Sequence, residues 1–191
     1  MTLTTSAFPA TDDFARAFFE EAAWHVTDSL VSHQNERTAC SVTSAMKAAE
    51  LGIKAALIHE NAMGLYKDLF ATHKPLTLVE QHPILRRLLF ALDGKRDDLS
   101  RDIKGMEILE PTAFGAKGYD PIAGEANTEY PFLGKERDAT GIEYTQLRSP
   151  QEYFKVDASL EKYRLARELL VALSELYPGI AEWGIEIPAA L

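Results

Sequence analysis

The chain has a single cysteine, Cys40, among 191 residues. An internal disulfide is therefore excluded, and a reducing compartment costs the fold nothing. It has no long hydrophobic run: no stretch approaches the ~18–20 consecutive apolar residues of a membrane span. The first ten residues lack the basic start and apolar core of a signal peptide. A cytoplasmic protein without membrane contact is the expectation. Positive charge is also scarce. With 20 Lys and Arg against 29 Asp and Glu, the net charge is −9. Such a balance supplies no broad field for non-specific nucleic-acid binding. The local basic cluster Arg86, Arg87, Lys95, Arg96 and Arg101 is interleaved with Asp93, Asp97, Asp98 and Asp102, as on a solvated helix face.

Hydrophobic content is 46%, ordinary for a globular protein. The length suits one domain with an elaborated loop, and residues 1–191 are read as a single helical domain. Residues 1–10 read as a lead-in. Thr11 is a plausible N-cap, with Asp12 and Asp13 favourably placed in a first turn. Phe14, Phe18, Ala22, Val26 and Leu30 follow at intervals of four, flanked by Phe19 and Trp24, and predict a helix to about His33. A second helix runs from about Arg37 to about Ile58. Val42, Met46, Ala49, Ile53, Ala56 and Leu57 recur at steps of three and four, which keeps them on one face. Glu50 and Lys54 stand four apart with the acid first, the better order for a surface pair. Gly52 costs ~1 kcal/mol against Ala inside a helix, which close packing of another helix would explain. The helical pattern continues through 61–72, resumes after Gln81-His82-Pro83 with Ile84, Leu85, Leu88, Leu89 and Leu92, and persists in a charged segment, Lys95 to Lys104.

From Gly105 to Leu147 no helical period survives the glycines and prolines. This irregular insertion is long enough to suggest function. It holds a candidate hairpin: Glu129 to Leu133, a turn through Lys135–Asp138, then Ile142 to Leu147. After Ser149-Pro150 a last long helix starts at Val156 or Asp157. Leu160, Tyr163, Ala166, Leu170, Leu173 and Tyr177 form its stripe, and Pro178-Gly179 stops it. The apolar tail of residues 178–191, with Trp183, Ile185 and Ile187, should dock on its own bundle or on a partner. The fold expected is all-α: an up-and-down bundle of four or five helices carrying a long irregular insertion.

Chemistry is thinly signalled. The five histidines are His25, His33, His59, His73 and His82. Glu21 and His25 are four apart, but the Glu-x-x-His repeat of di-iron bundles is missing, so no metal and no cofactor is expected. A carboxylate–histidine metal bundle stays as a further alternative. There is no Gly-x-Ser-x-Gly elbow and no phosphate-cradling glycine motif. Cys40 reads as a small hydrophobe.

Three elements together resemble the HEPN domain, a helical bundle of prokaryotic toxin–antitoxin and defence systems. Ala48-Ala-Glu50-Leu-Gly-Ile-Lys54-Ala-Ala-Leu57 is similar to its second helix. His82-Pro-Ile-Leu-Arg-Arg-Leu-Leu89 looks like its short histidine-and-leucine helix. Arg148-Ser-Pro-Gln-Glu-Tyr153, leading into Ala166-Arg-Glu-Leu-Leu170, resembles its arginine loop, tyrosine and final helix. The match spans about Asp12 to Leu176. Ribonuclease members carry an Arg followed by His after four to six residues, and Arg148 has no histidine downstream. The resemblance therefore implies a catalytically silent member: a homodimer acting with a partner protein, or binding a nucleotide or RNA locally. The candidate ligand-binding residues are Arg148, His82, Glu50, Lys54 and Tyr153; no catalytic residue is assigned. Arg148 could grip a phosphate through its planar fork, or simply pair with a nearby acid. The alternative is an RNA-processing or other hydrolytic enzyme in which Arg148, His82 and Glu50 meet in a cleft.

Overall fold

The computed structural model describes residues 11–60, 132–154 and 156–190. The helices read over 61–104, His82 among them, and most of the 105–147 insertion lie outside these residues. The described part is an all-α bundle with a small hairpin. In chain order come α1 (Thr11–Gln34), α2 (Thr38–His59), β1 (Phe132–Arg137), β2 (Glu143–Arg148), α3 (Pro150–Tyr153), α4 (Val156–Leu176) and α5 (Pro178–Glu182).

Helix α1 turns back on itself through a tight link. Glu36 adopts φ 59° there, and the Arg37 amide donates to the Ser32 carbonyl at 2.8 Å. The two helices are thus antiparallel neighbours. Their core line overlaps the four-step stripe of the sequence and extends it: Ala22 and Val26 are buried, Phe14, Phe18 and Leu30 are partly buried against the core, and Ala15 and Phe19 join the buried set. Phe19, expected on the flank, is core. A strict four-residue step drifts around a 3.6-residue helix, so a mixed step of three and four tracks the core better. Trp24 faces outward.

Helix α2 is the centre of the bundle: every residue from Ala48 to Ile58 is buried. Helix α4 lies parallel to it. A Cβ on Gly52 would stand 2.8 Å from Leu170 Cδ2 and 3.3 Å from Leu173 Cδ1, so the glycine admits α4 at close range, as its cost inside a helix suggested. At the other end His33 of α1 meets Ser159 of α4 (2.7 Å). Ser159 gives its own proton to the Val156 carbonyl, so it accepts from His33 Nδ1–H.

Pro178 does more than stop α4. It opens α5 at the first turn, where its missing N–H is no loss. The tail then folds onto its own bundle. Tyr163 donates its hydroxyl proton to the Ala189 carbonyl at 2.8 Å, and Arg167 Nε donates to the Pro188 carbonyl at 2.6 Å. Trp183, Ile185 and Ile187 pack against the core, with Trp183 edge-on to Phe19.

The hairpin exists, but later in the chain than its residues suggested. Residues Lys135–Arg137 are strand, and the turn is Asp138–Ile142. Asp138 sets the turn. Its carboxylate accepts from the Thr140 amide (2.8 Å), the Thr140 hydroxyl (2.6 Å) and the Ile142 amide (2.9 Å), which holds it below the usual carboxylate pKa, the Thr140 side chain contributing most. Gly141 takes φ +83°, the left-handed residue that completes a three-residue hairpin loop. Arg137 and Glu143 close it as a 2.6 Å ion pair.

Candidate functional site

An apolar bundle that buries charge invites attention, because a desolvated ion needs a partner or a purpose. Glu50 and Lys54 are such charges. Their side chains are 3% and 4% exposed and meet at 2.6 Å. The surface pair read from their spacing is therefore a core pair. The spacing gives the contact; the burial comes from α2's position at the centre. Lys47, half in solvent, reaches Glu50 from the other side at 3.2 Å. Burial pushes the Glu50 carboxyl up, but the hydrogen bond and charge of Lys54, joined by Lys47, outweigh it and leave the group below its ordinary value.

Toward α1 the polar character continues. Asp28 accepts a short hydrogen bond from the Ser44 hydroxyl, and Ser29 donates to the Ser41 carbonyl at 2.9 Å. His25 stands one turn up from Asp28, with its Nε2 3.7 Å from Glu21. Its Nδ1 is buried without a hydrogen-bond partner. Burial pushes the imidazole below its ordinary pKa, against the pull of Glu21, Asp28 and Glu50, so the neutral form is favoured. His25, Asp28, Ser29, Ser41, Ser44, Lys47 and Glu50 thus make one polar seam along α1 and α2. Sequence reasoning weighed His25 as a metal ligand against a structural or surface residue, favoured the latter, and did not place it in a seam between α1 and α2. The missed signal was a run of polar side chains at positions the helical period turns inward. Among the described residues no group of three or more His, Cys, Asp or Glu could hold a metal ion.

The remaining candidates sit elsewhere. Arg148 ends β2, half-buried, and Tyr153 ends α3, exposed and edge-on to Phe154 at 5.2 Å. Between them Gln151 binds the α1–α2 link: its Oε1 accepts from the Ala39 amide (3.3 Å), its amide donates to the Glu36 carbonyl, and its own carbonyl accepts from Thr38 Oγ1 (3.3 Å). Arg148 and Tyr153 therefore belong to the N-terminal end of α2. Glu50 lies twelve residues on from Thr38, which at 1.5 Å per residue is about 18 Å along the axis. The described residues thus form two places rather than one cleft: a buried seam around Glu50, and an exposed hairpin–α3 edge around Arg148.

That edge is also apolar. The described residues include seven exposed large hydrophobics; Ile142, Tyr144, Leu147, Tyr153 and Val156 are five of them, and all fall within residues 142–156. A third feature is an open cleft of about 400 Å³ on α4, lined among the described residues by Asp157, Leu160, Glu161 and Arg164. No helix among the described residues is long and apolar enough to cross a membrane. Compared with protein-family models, with curated proteins and with solved structures, the chain matches none.

Proposed function

We propose that this protein is an interaction module: a HEPN-like helical bundle of the toxin–antitoxin or defence type that acts by binding a partner and lacks the family's RNA-cleaving pair. The observation that carries this reading is the concentration of exposed apolar side chains on the hairpin and α3. Ile142 and Leu147 are 65% and 67% exposed. Scattered single hydrophobics need no explanation, but a cluster on one short projecting element marks a contact surface. Arg148 at its root adds a planar cation suited to a carboxylate or phosphate on whatever docks. Glu50 and Lys54 support the reading differently. They satisfy each other inside the core, a role in holding α2 rather than in meeting a ligand.

The test is direct. Purified protein is incubated with RNA in the presence of a chelator, alongside Arg148→Ala. The reading expects intact RNA in both samples. RNA degradation that Arg148→Ala abolishes would establish instead the hydrolytic alternative built on Arg148 and His82.

A further inference from the structure

Among the described residues, strand β2 pairs with β1 on one side and with no strand on the other. Its pairing with β1 runs from Phe132 opposite Arg148 to Arg137 opposite Glu143, and the Asp138 amide bonds the Ile142 carbonyl at 3.0 Å at the closed end. Hydrogen-bonded and non-hydrogen-bonded positions alternate along an antiparallel pair. Counting from that closing bond, Tyr144, Gln146 and Arg148 turn their backbone groups toward β1. Glu143, Thr145 and Leu147 turn theirs outward, and these three have no backbone partner among the described residues. Edge strands are usually protected by proline, lysine, a bulge or an inward charge. In β2, Glu143-Tyr-Thr-Gln-Leu-Arg148, charge stands only at the two ends; residues 144–147 carry no charge and no proline, and 143–147 are all exposed.

We propose that β2 pairs edge-to-edge with β2 of a second copy of this chain, antiparallel about a two-fold axis, to make a four-stranded sheet β1–β2–β2–β1. The inference rests on the interaction-module reading and names the partner. Matching outward-facing backbone to outward-facing backbone leaves two central registers, one centred on Thr145 and one on Gln146. In neither does a charge face its like. Glu143 meets Leu147 or Ser149 of the second copy, and Arg148 meets Ile142 or Tyr144. The second register stacks each Arg148 beside a Tyr144 ring, a favourable cation–π pairing. A two-stranded hairpin is marginal by itself, and adding strands stabilises it. A chain whose hairpin projects apolar side chains on both faces gains most from such a partner.

The experiment uses the full chain and its mass in solution. Light scattering after size exclusion should give twice 21.2 kDa. Thr145→Pro removes an outward N–H that the β1 ladder does not use, and should weaken the dimer by at least about tenfold with helical circular dichroism unchanged. Leu147→Lys should act the same way. In a Cys40→Ser background, Thr145→Cys or Gln146→Cys should cross-link two copies on oxidation, and which one does so reports the register. A wild-type protein that is monomeric overturns the proposal. So does a dimer that survives Thr145→Pro and Leu147→Lys and forms no cross-link, since its interface lies elsewhere. Neither result touches the interaction-module reading, which stands or falls on the RNA assay.

Discussion

Glu50 is a carboxylate kept ionised inside a bundle by two lysines. Removing it strands Lys54 as a buried cation without a partner, a loss of about 3–5 kcal/mol. Glu50→Ala should therefore lower the urea midpoint sharply. The double variant Glu50→Leu with Lys54→Met should recover most of the loss, because well-packed apolar groups replace a buried pair at little cost. Acid separates two side chains. His25 has a depressed pKa in the fold, so the unfolded chain takes up its proton first. Stability then falls as pH drops below the ordinary imidazole value of about 6.5. His25→Gln should flatten the Tm profile in that window. Glu50 is also depressed, so its contribution is complete above the ordinary carboxylate pKa and disappears only as pH falls through its lower folded value. That second decline should persist in His25→Gln. At Gly179 a Cβ would lie 2.5 Å from His59 Cε1, a rigid ring held by Asp12 at 3.0 Å and edged by Trp183. Gly179→Ala should cost roughly 1–3 kcal/mol through overpacking, measurable by chemical denaturation.

The elements differ in how much of them was legible. Helix α2 was plain in its residues because Val42, Met46, Ala49 and Ile53 keep a steady three-and-four step, and Gly52 announced the close approach of α4. Helix α1 was legible as a helix and in much of its stripe: Ala22 and Val26 are core and Phe14, Phe18 and Leu30 pack against it, while Ala15 and Phe19, outside the four-step line, are buried as well. The polar seam was hidden because Asp28, Ser29 and Ser44 look like surface residues until a second helix is laid across them. The hairpin was legible in kind and displaced in register. Lys135-Glu136-Arg137 has the polarity of a loop, and only the carboxylate geometry of Asp138 with the positive φ of Gly141 moves the turn past it. Asp138→Ala or Gly141→Ala should fray this element alone. Hydrogen exchange across 132–148 should rise while the global Tm stays within experimental error, because β1 and β2 contribute nothing to the buried core of the described residues.

At the scale of the molecule, three long rods carry the described fold, and a tail ties α4, α5 and α1 together. Tyr163 and Arg167 hold the carbonyls of Ala189 and Pro188, and burial pushes the Tyr163 hydroxyl above its ordinary pKa. Shortening the chain after Glu182 removes Trp183, Ile185 and Ile187 from the core surface. The loss should be about 3 kcal/mol, on the order of 10 °C in Tm, read by calorimetry. The sequence placed this tail against an apolar surface but could not choose between its own bundle and another protein, because amphipathic composition is the same for both.

Gln151, just beyond the exposed hairpin, binds the start of α2, the central helix of the described bundle. Arg37 offers α2 no side-chain cap, so the Ala39 amide leans on a side chain from far along the chain. Anything that tugs on β2 therefore levers on the first turn of α2. A backbone proton at Ala39, some distance from the docking edge, becomes the natural reporter of occupancy: it should exchange at one rate when the edge is bare and at another when it is covered.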